Sequence, residues 1–362
     1  MKAKRVLYIS YPLLTVSEES AGGAEQMLWA LEHEMAARGV HTTVAASAGS
    51  RVSGELFSTG EPCSRPDDFE RRNREHQDRI IAFIRERAQQ GSPFDLVHDK
   101  SGSFWLRAAE VDTPVLATLH LPRHFYPAHY FENVPRNVGF NCVSESQARS
   151  FSDLRQLLGV APNGILLDRF QYSAGKRGGL LWLGRICEEK APHLALEVAQ
   201  RAHLPITVAG QVYPFSYHRQ YFEREVRPRL RQSRGAAFID SPCAEFKRKL
   251  LREASVLLIT SQVDETSSLV AMEAAASGTP VIAFRRGALP EIVQHGQTGF
   301  VVGDVDEAVA CLGYIHTIKP EACVGYAREH FSSASMADAY AGLYEAALRR
   351  HARPALLEKH AA

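Results

Sequence analysis

The stretch VLLITSQVDETSSLVAMEAAASGTPVIAF, residues 256–284, contains one complete strand–helix–strand repeat. Its apolar ends, Val256–Thr260 and Val281–Phe284, are continuous runs without polar alternation, a pattern typical of strands covered on both faces. Between them, Ser267 or Ser268 is a natural N-cap for an alanine-rich helix. Helices that separate doubly covered strands indicate a parallel α/β sheet.

The same alternation extends along the 362 residues. The other predicted strands are Val6–Ser10, Thr42–Ala46, Leu96–His98, Val115–His120, Phe140–Ser144, Leu180–Gly184, Ile206–Gly210 and Ala237–Asp240. A polar, glycine-rich stretch at 169–178 predicts an interdomain linker between domains 1–168 and 179–335. About five strands in each half predict an α/β protein with two facing doubly wound Rossmann-like domains, whose loops enclose a central interdomain cleft.

Composition excludes several classes of protein. Lys and Arg total 42 against 41 Asp and Glu, so the net charge of +1 argues against a nucleic-acid binder. No apolar run approaches the ~18 residues of a membrane span, and the run after the basic opening residues is too short for a signal peptide. A cytoplasmic protein is therefore expected. The six cysteines are far apart without a C-x-x-C pair, which predicts reduced, mostly buried thiols and no zinc or redox site.

Two glycine- or cation-bearing loops suit a pyrophosphate. Gly22 and Gly23 open the first helix, where free backbone N–H groups face an anion. Arg185 and Lys190 follow the strand at 180–183, and two cations at a strand's carboxyl end can neutralise two phosphates. Solvated surface charges are the alternative interpretation of this pair.

The stretch 256–284 adds a third candidate anion site. The backbone amides that follow its N-cap, Ser267 or Ser268, are expected to face the cleft, where a helix N-terminus favours negative charge. Glu273 is expected one or two turns into the helix, where it can accept hydrogen bonds from ribose hydroxyls, and Glu265 is expected nearer a reacting sugar. An ordinary acidic loop is the alternative.

Histidines and acidic pairs give weaker metal signals. His120 ends a predicted strand and is placed to touch a ligand, but Pro122 and Pro127 interrupt any helix that would align it with His124 and His129. The sequence Asp304-Val305-Asp306 resembles a metal-binding D-x-D and is better explained as a helix cap. No metal site is expected.

Two arginine-rich segments, at 71–87 and 219–234, are interpreted as solvated faces because acidic residues dilute both. Peripheral contact with an anionic membrane, at its inner face, is the alternative.

The motifs together resemble retaining family 4 glycosyltransferases of the GT-B fold. The pair Glu265 and Glu273, followed by SGTPVIA at 277–283, is similar to the family signature, and Gly184-Arg185 with Glu189-Lys190-Ala191 is similar to its phosphate motif. Ser267-Ser268 departs from the family's aromatic–glycine pair, and Ala191 replaces a glycine. Further landmarks occur in family order, namely GGAE (22–25), FDLVH (94–98), TLH (118–120), VSES (143–146), PNGI (162–165), GALPEIV (287–293) and GQTGFVV (296–302).

The resemblance implies a hexosyl-type transferase that moves a sugar from a nucleotide diphosphate donor, UDP- or GDP-linked, to an acceptor hydroxyl with retention and without metal or other cofactor. Arg185, Lys190, Gly22, Gly23, Ser268 and Leu269 would bind the diphosphate, Glu273 the ribose, and Glu265 and His120, the catalytic pair, the transferred sugar. The resemblance also implies that a helix at 336–350, before a tail at 351–362, packs back on the first domain.

The acceptor is expected to be a sugar, a lipid-linked molecule or a small molecule bound by the first domain, with Lys100, Arg123 and His124 as candidate contacts. Two alternatives remain open at this stage: a non-catalytic sugar-nucleotide binder or scaffold, and a sugar-nucleotide epimerase.

Overall fold

The computed structural model describes residues 3–20, 22–63, 66–176 and 178–359. The chain forms two compact units, of which the first comprises Met1–Gly164 with Ser333–Ala362 and the second Ile165–Ser332. Three parts of the sequence predictions lie outside the described residues: Ala21 before the glycine pair, Arg177 of the predicted linker, and 360–362 of the predicted tail.

The first unit is built on a parallel sheet of seven strands in the order β3-β2-β1-β4-β5-β6-β7. Its strands are β1 (Arg5–Ile9), β2 (His41–Ala46), β3 (Glu55–Ser58), β4 (Leu96–Asp99), β5 (Val115–Thr118), β6 (Val138–Cys142) and β7 (Leu157–Val160). The strand order reverses between β1 and β4, and in open α/β sheets ligands bind beyond the carboxyl ends of strands at such a point.

Four helices cover this sheet: α1 (Gly23–Ala37), α2 (Phe69–Gln89), α3 (Glu145–Ser150) and, from the far end of the chain, α12 (Ser333–Lys359). Buried hydrogen bonds fix α12. Tyr344 Oη donates to Tyr8 Oη over 3.1 Å and is hydrogen bonded to His98 Nδ1 at 2.9 Å, so the helix is attached to β1 and β4. The helix also extends beyond the predicted 336–350 into the predicted tail, where Ala, Leu, Glu and Lys favour helix.

The second unit has a six-stranded parallel sheet in the order β10-β9-β8-β11-β12-β13, which reverses between β8 and β11. Its strands are β8 (Leu180–Leu183), β9 (Ile206–Gly210), β10 (Ala236–Asp240), β11 (Val256–Ile259), β12 (Val281–Phe284) and β13 (Gly299–Val302). Its helices are α4 (Pro192–Ala202), α5 (Ser216–Tyr221), α6 (Arg227–Gln232), α7 (Ala244–Glu253), α8 (Leu269–Ala276), α9 (Leu289–Ile292), α10 (Val305–Leu312) and α11 (Pro320–His330).

The structure contains every predicted strand within one or two residues and adds β3, β7 and β13. These three lie at sheet edges. β3 and β7 are only partly buried and carry a weak apolar pattern, whereas β13 is fully buried and its short apolar run was not recognised as a strand. The strands therefore number seven and six rather than five in each half.

The predicted linker 169–178 lies inside the second unit, because the chain divides after Gly164. Lys176 Nζ donates to the carbonyl oxygens of Arg252 and Ser277 at 2.8 and 2.7 Å, and the Gly178 amide donates to the carbonyl oxygen of Glu253 at 2.9 Å. The segment is therefore hydrogen bonded to other parts of its own unit. Its polar, glycine-rich composition is the same as that of a linker, so composition alone does not distinguish the two roles.

Candidate active site

The loops that follow β8 and β11 bring together the two most informative charged residues of the second unit. Lys190 Nζ lies 2.5 and 2.6 Å from Glu265 Oε1 and Oε2, and the Glu265 side chain is 9% exposed. Thr260 Oγ1 donates to the Ala191 carbonyl oxygen at 2.8 Å, which ties the two loops beside this ion pair. The pair lies where the strand order reverses, the position expected for a ligand.

Backbone contacts fix the position of Glu265. Ser261 Oγ donates to Glu265 Oε1, and the Ala288 amide donates to the Glu265 carbonyl oxygen at 2.7 Å. Gly287 has φ +53°, and a Cβ there would overlap the same carbonyl oxygen. The loop after β12 therefore approaches Glu265 so closely that only glycine fits at position 287.

Arg185 precedes this ion pair on the loop after β8 and remains exposed at its surface. Its guanidinium carbon lies 5.8 Å from the centre of the Tyr213 ring. Ala191 ends the loop in the left-handed conformation, with φ +48° and ψ +53°, and α4 starts at the next residue. This conformation explains why the resembled family uses glycine at that position.

The N-terminus of α8 is capped as the sequence predicts, and Ser268 is the cap. Its Oγ accepts from the Ala271 amide at 3.4 Å, and Leu269 is the first helical residue. The preceding Ser267 Oγ is buried and has no hydrogen-bond partner among the described residues. A buried hydroxyl without a partner is costly to the folded protein, so it is available to a ligand.

Glu273 lies on the second turn of α8. Burial raises its pKa to about 7, with Lys247 and Arg248 opposing the rise through their positive charges. A carboxyl group that titrates near neutrality can either accept or donate a hydrogen bond to a hydroxyl group.

A cluster that sequence spacing did not reveal lies beside Arg185. Within the described ranges, Cys187, Glu189 and His218 are the one set whose possible metal-ligand atoms lie within 4.8 Å of one another. Burial lowers the pKa of His218, and the positive charge of Arg185 lowers it further. The guanidinium therefore opposes a second positive charge there. Spacings of two and 29 residues match no metal motif, so only the fold could identify this cluster.

In the first unit, the carboxyl group of Glu25 lies against Gly22, the N-cap residue of α1. A Cβ at Gly22 would overlap Glu25 Oε2, so a larger residue there would displace the Glu25 side chain. Burial raises the pKa of Glu25, while a hydrogen bond from its own amide opposes the rise. The Glu25 carboxyl group thus lies against Gly22 in this structure, and anion binding by Gly22 and Gly23 stays a prediction.

His120 and Lys100 follow the adjacent strands β5 and β4. The Tyr126 hydroxyl accepts from the His120 amide at 3.2 Å and positions the backbone. Burial, with the positive charge of Lys100 as a second cause, holds the pKa of His120 well below its usual value, so its imidazole is neutral. Lys100, expected to face an acceptor, is 1% exposed.

The other two candidate acceptor residues differ in environment. Arg123 packs its guanidinium 4.4 Å from the Phe131 ring centre and pairs with Asp153 at 3.1 Å. His124 is exposed beside Phe125. The structure therefore does not gather Lys100, Arg123 and His124 into one exposed cluster.

Several secondary predictions are settled by local contacts. Asp304 caps α10, accepting from the Glu307 amide at 3.0 Å, as predicted for the D-x-D sequence. The cysteines are reduced, but only Cys142, Cys187 and Cys323 are buried, so the prediction of mostly buried thiols is half right. Cys243 is exposed.

Several arginines of the two arginine-rich segments pair with acidic residues of their own unit. Arg71 and Arg72 pair with Glu75, and Arg229 pairs with Glu225. These pairs support the interpretation of solvated faces. The structure shows no helix, among the residues described, with the length and apolarity to cross a membrane.

Two family models match the chain. One, described as "Glycosyltransferase Family 4", matches residues 21–169, and the other, described as "Glycosyl transferases group 1", matches residues 177–316. Each model matches one parallel-sheet region of the fold.

Related proteins agree with these models. A protein named D-inositol 3-phosphate glycosyltransferase from Streptomyces avermitilis is 28% identical over 315 residues, which span 72% of this chain and 67% of the relative. A protein of the same name from Streptomyces scabiei is 32% identical over 222 residues, spanning 54% of this chain and 50% of the relative.

Among solved structures, that of Anabaena HepE in complex with UDP and glucose is 15% identical, with a TM-score of 0.73 over 95% of this chain and 99% of HepE. At that identity the likeness shows the fold alone. Taken together, the two family models, the named relatives and the shared architecture show that the chain belongs to glycosyltransferase family 4 and is a glycosyltransferase with the GT-B fold.

Proposed function

We propose that this protein transfers a hexosyl-type sugar from a nucleotide diphosphate sugar, UDP- or GDP-linked, to an acceptor hydroxyl, with retention and without a metal ion. The observation that carries the proposal is the ion pair between Lys190 and Glu265 at the reversal point of the second sheet. It holds a cation for the leaving diphosphate beside a carboxylate for the transferred sugar.

Charge develops on the β-phosphate as the glycosidic bond breaks, and the second unit supplies fixed positive charge for it. Lys190 and the exposed Arg185 contribute two cations, and the N-terminus of α8 contributes backbone amides around Leu269. Fixed donors aimed at developing charge typically account for the largest part of such catalysis. These groups supply the role that a metal ion performs in other transferases.

The ribose is assigned to Glu273 and the sugar to Glu265 and His120. Glu273 accepts hydrogen bonds from ribose hydroxyls when it is ionised, which its pKa of about 7 permits near neutral pH. His120 is neutral, so it contacts the sugar as a hydrogen-bonding group rather than as a cation. In this proposal the leaving phosphate itself accepts the acceptor's proton on the face where attack occurs, which accounts for retention.

The Gly22–Gly23 turn is assigned to the diphosphate from the side of the first unit. Because Glu25 occupies that turn in the structure, donor binding requires its carboxylate to move or to take up a proton. The raised pKa of Glu25 favours proton uptake. The complex of HepE with UDP and glucose supports a nucleotide-sugar donor for this fold.

A thermal-shift panel of UDP, GDP, ADP, dTDP and CDP, each with EDTA and with Mg²⁺, tests the donor site. A ligand at a hundred times its dissociation constant stabilises by about 2.7 kcal/mol, which raises the melting temperature by a few degrees. One nucleotide that acts in EDTA supports a metal-free site and names the base. A response that requires Mg²⁺ contradicts the metal-free part.

Product analysis with the matching sugar nucleotides then tests the reaction. Transfer or slow donor hydrolysis with retained configuration supports the proposal. A changed sugar on the intact donor indicates an epimerase, and nucleotide binding without any turnover indicates a non-catalytic binder.

A further inference from the structure

Lys100 occupies the position in the first sheet that corresponds to a ligand site. It follows β4 directly, beside β1, where the strand order reverses, and its amide donates to the Ile9 carbonyl oxygen at 3.0 Å. Its side chain is 1% exposed, and Nζ has no hydrogen-bond partner among the described residues. The contact that Nζ does make is with the face of the Tyr340 ring, 5.1 Å from its centre.

The neighbouring carboxylate does not serve as the counter-ion. Asp99 Oδ1 accepts from the amide and hydroxyl of Ser101 at 2.8 and 2.7 Å, and Oδ2 accepts from the Trp105 amide at 2.9 Å. Asp99 is thus engaged by its own loop, and none of these hydrogen bonds comes from Lys100.

The two histidines near Lys100 are neutral. His98 uses both ring nitrogens, at 2.9 Å from Tyr344 Oη and 2.8 Å from Thr118 Oγ1. Burial, together with the positive charge of Lys100, holds the pKa values of His98 and His120 well below their usual range. Among the described residues, therefore, the neighbouring histidines are neutral, the Asp99 carboxylate is engaged by its own loop, and none of them is hydrogen bonded to Lys100 Nζ.

An ammonium group buried without an anion destabilises the folded state, and one aromatic face compensates only part of that cost. Proteins retain such a group where a ligand completes it. We propose that Lys100 binds an oxyanion of the acceptor, a phosphate or a carboxylate, and that this enzyme therefore glycosylates a hydroxyl of an acidic molecule. This inference rests on the proposed transfer reaction and names the chemical class of its acceptor.

The cations assigned to the donor all belong to the second unit. The second unit already carries Arg185, Lys190 and the N-terminus of α8 for the diphosphate, and all of these lie on its own sheet edge. The positive charge at the first unit's reversal point is therefore assigned to the other substrate.

Stability gives a test that does not depend on activity. Lys100→Met keeps an unbranched side chain and removes the charge, and Lys4→Met serves as control because Lys4 is exposed in the same unit. Melting temperatures are measured in sodium chloride and in sodium phosphate at equal ionic strength. We expect Lys100→Met to melt above wild type in chloride and to gain less from phosphate than wild type or Lys4→Met. A lower melting temperature of Lys100→Met in chloride would overturn the proposal. Equal phosphate responses in all three proteins would overturn its phosphate form, and the hydroxy-acid pair below then decides the carboxylate form.

Acceptor preference gives the second test. Wild-type enzyme with the donor identified above is offered matched pairs: a polyol phosphate against the parent polyol, and a hydroxy acid against its methyl ester. We expect kcat/KM to favour the acidic member of one pair, and Lys100→Met to reduce that preference by about tenfold to a hundredfold, the usual range for a hydrogen bond to a charged group. The preferred pair separates phosphate from carboxylate. If wild type uses both members of each pair equally well, the acidic acceptor is contradicted and the transfer reaction is not. If the protein binds no nucleotide, the transfer reaction itself is contradicted, and the phosphate test on melting temperature alone decides the role of Lys100.

Discussion

Lys190 Nζ lies within 2.6 Å of both carboxylate oxygens of Glu265, although the two residues are 75 positions apart in the chain. The cation assigned to the diphosphate is therefore already neutralised in the protein without ligand. A donor that enters this site must share Lys190 with Glu265, so the two residues act as one unit.

Loss of the cation should remove most of the transfer activity. We expect Lys190→Met to lower kcat/KM by about a hundredfold or more, the range found when one preorganised donor to a developing charge is deleted. It also leaves the buried Glu265 without its counter-ion, so the melting temperature should fall. Steady-state kinetics and thermal unfolding check both effects, with the exposed Lys319→Met as control. Unchanged kinetics in Lys190→Met would remove this residue from the site.

Loss of the anion should have opposite effects on binding and on turnover. Glu265→Gln keeps an oxygen to accept from Ser261 and frees the charge of Lys190 for the diphosphate. We expect UDP to bind several-fold more tightly and transfer to slow by at least tenfold, because the sugar loses its carboxylate. Calorimetric titration with UDP beside initial-rate measurements separates the two. Weaker UDP binding would show that Glu265 does not compete for Lys190.

Glu273 should make both stability and donor binding depend on pH. Burial raises its pKa to about 7, so the folded protein holds a proton that the unfolded chain releases near 4.5. Stability contributed by this group is therefore lost as the pH rises from about 4.5 to about 7. We expect the difference in melting temperature between Glu273→Gln and wild type to increase from pH 5 to pH 8, in favour of the variant. We also expect the wild-type affinity for UDP to rise over that range more than the variant's does, and parallel pH profiles would contradict the ribose assignment.

The close approach at Gly287 provides a backbone test of the Glu265 position. Gly287→Ala places a Cβ against the Glu265 carbonyl oxygen, whereas Gly296→Ala also has positive φ, +79°, but meets nothing within 4 Å. Both should lose about 1 kcal/mol of unfolding free energy through the left-handed backbone, and Gly287→Ala should lose more because its Cβ would overlap backbone atoms of Glu265. Only Gly287→Ala should lower kcat strongly, by tenfold or more. Similar kcat values in both variants would mean that the Glu265 loop can shift without consequence.

Two adjacent serines should separate ligand contact from helix capping. Ser268→Ala removes the cap of α8 and should cost about 1 kcal/mol of stability. Ser267→Ala removes a buried hydroxyl that has no partner in the described protein, so stability should hold or rise while kcat/KM falls several-fold. Thermal unfolding and kinetics on both variants measure the contrast. A Ser267→Ala enzyme with wild-type kinetics would leave that hydroxyl without a role.

Local chemistry explains what could be predicted from the sequence. The sequence predicts Asp304 as the cap of α10 and narrows the cap of α8 to Ser267 or Ser268, because a cap depends on a side chain and an amide three residues away. Continuous apolar runs predict buried parallel strands such as β8 and β12. The edge strands β3 and β7 were not predicted, because they are only partly buried and carry little apolar surface.

The sequence by itself determined the alternation of strands and helices, the placing of cations and carboxylates at strand ends, and the motifs of family 4. Tertiary structure decided which of those charges meet. It paired Lys190 with Glu265, placed Glu25 against Gly22, and buried Lys100 without a hydrogen-bond partner among the described residues, because such contacts depend on which strands become neighbours. Strand order is a property of the whole sheet, so no local pattern of residues encodes it.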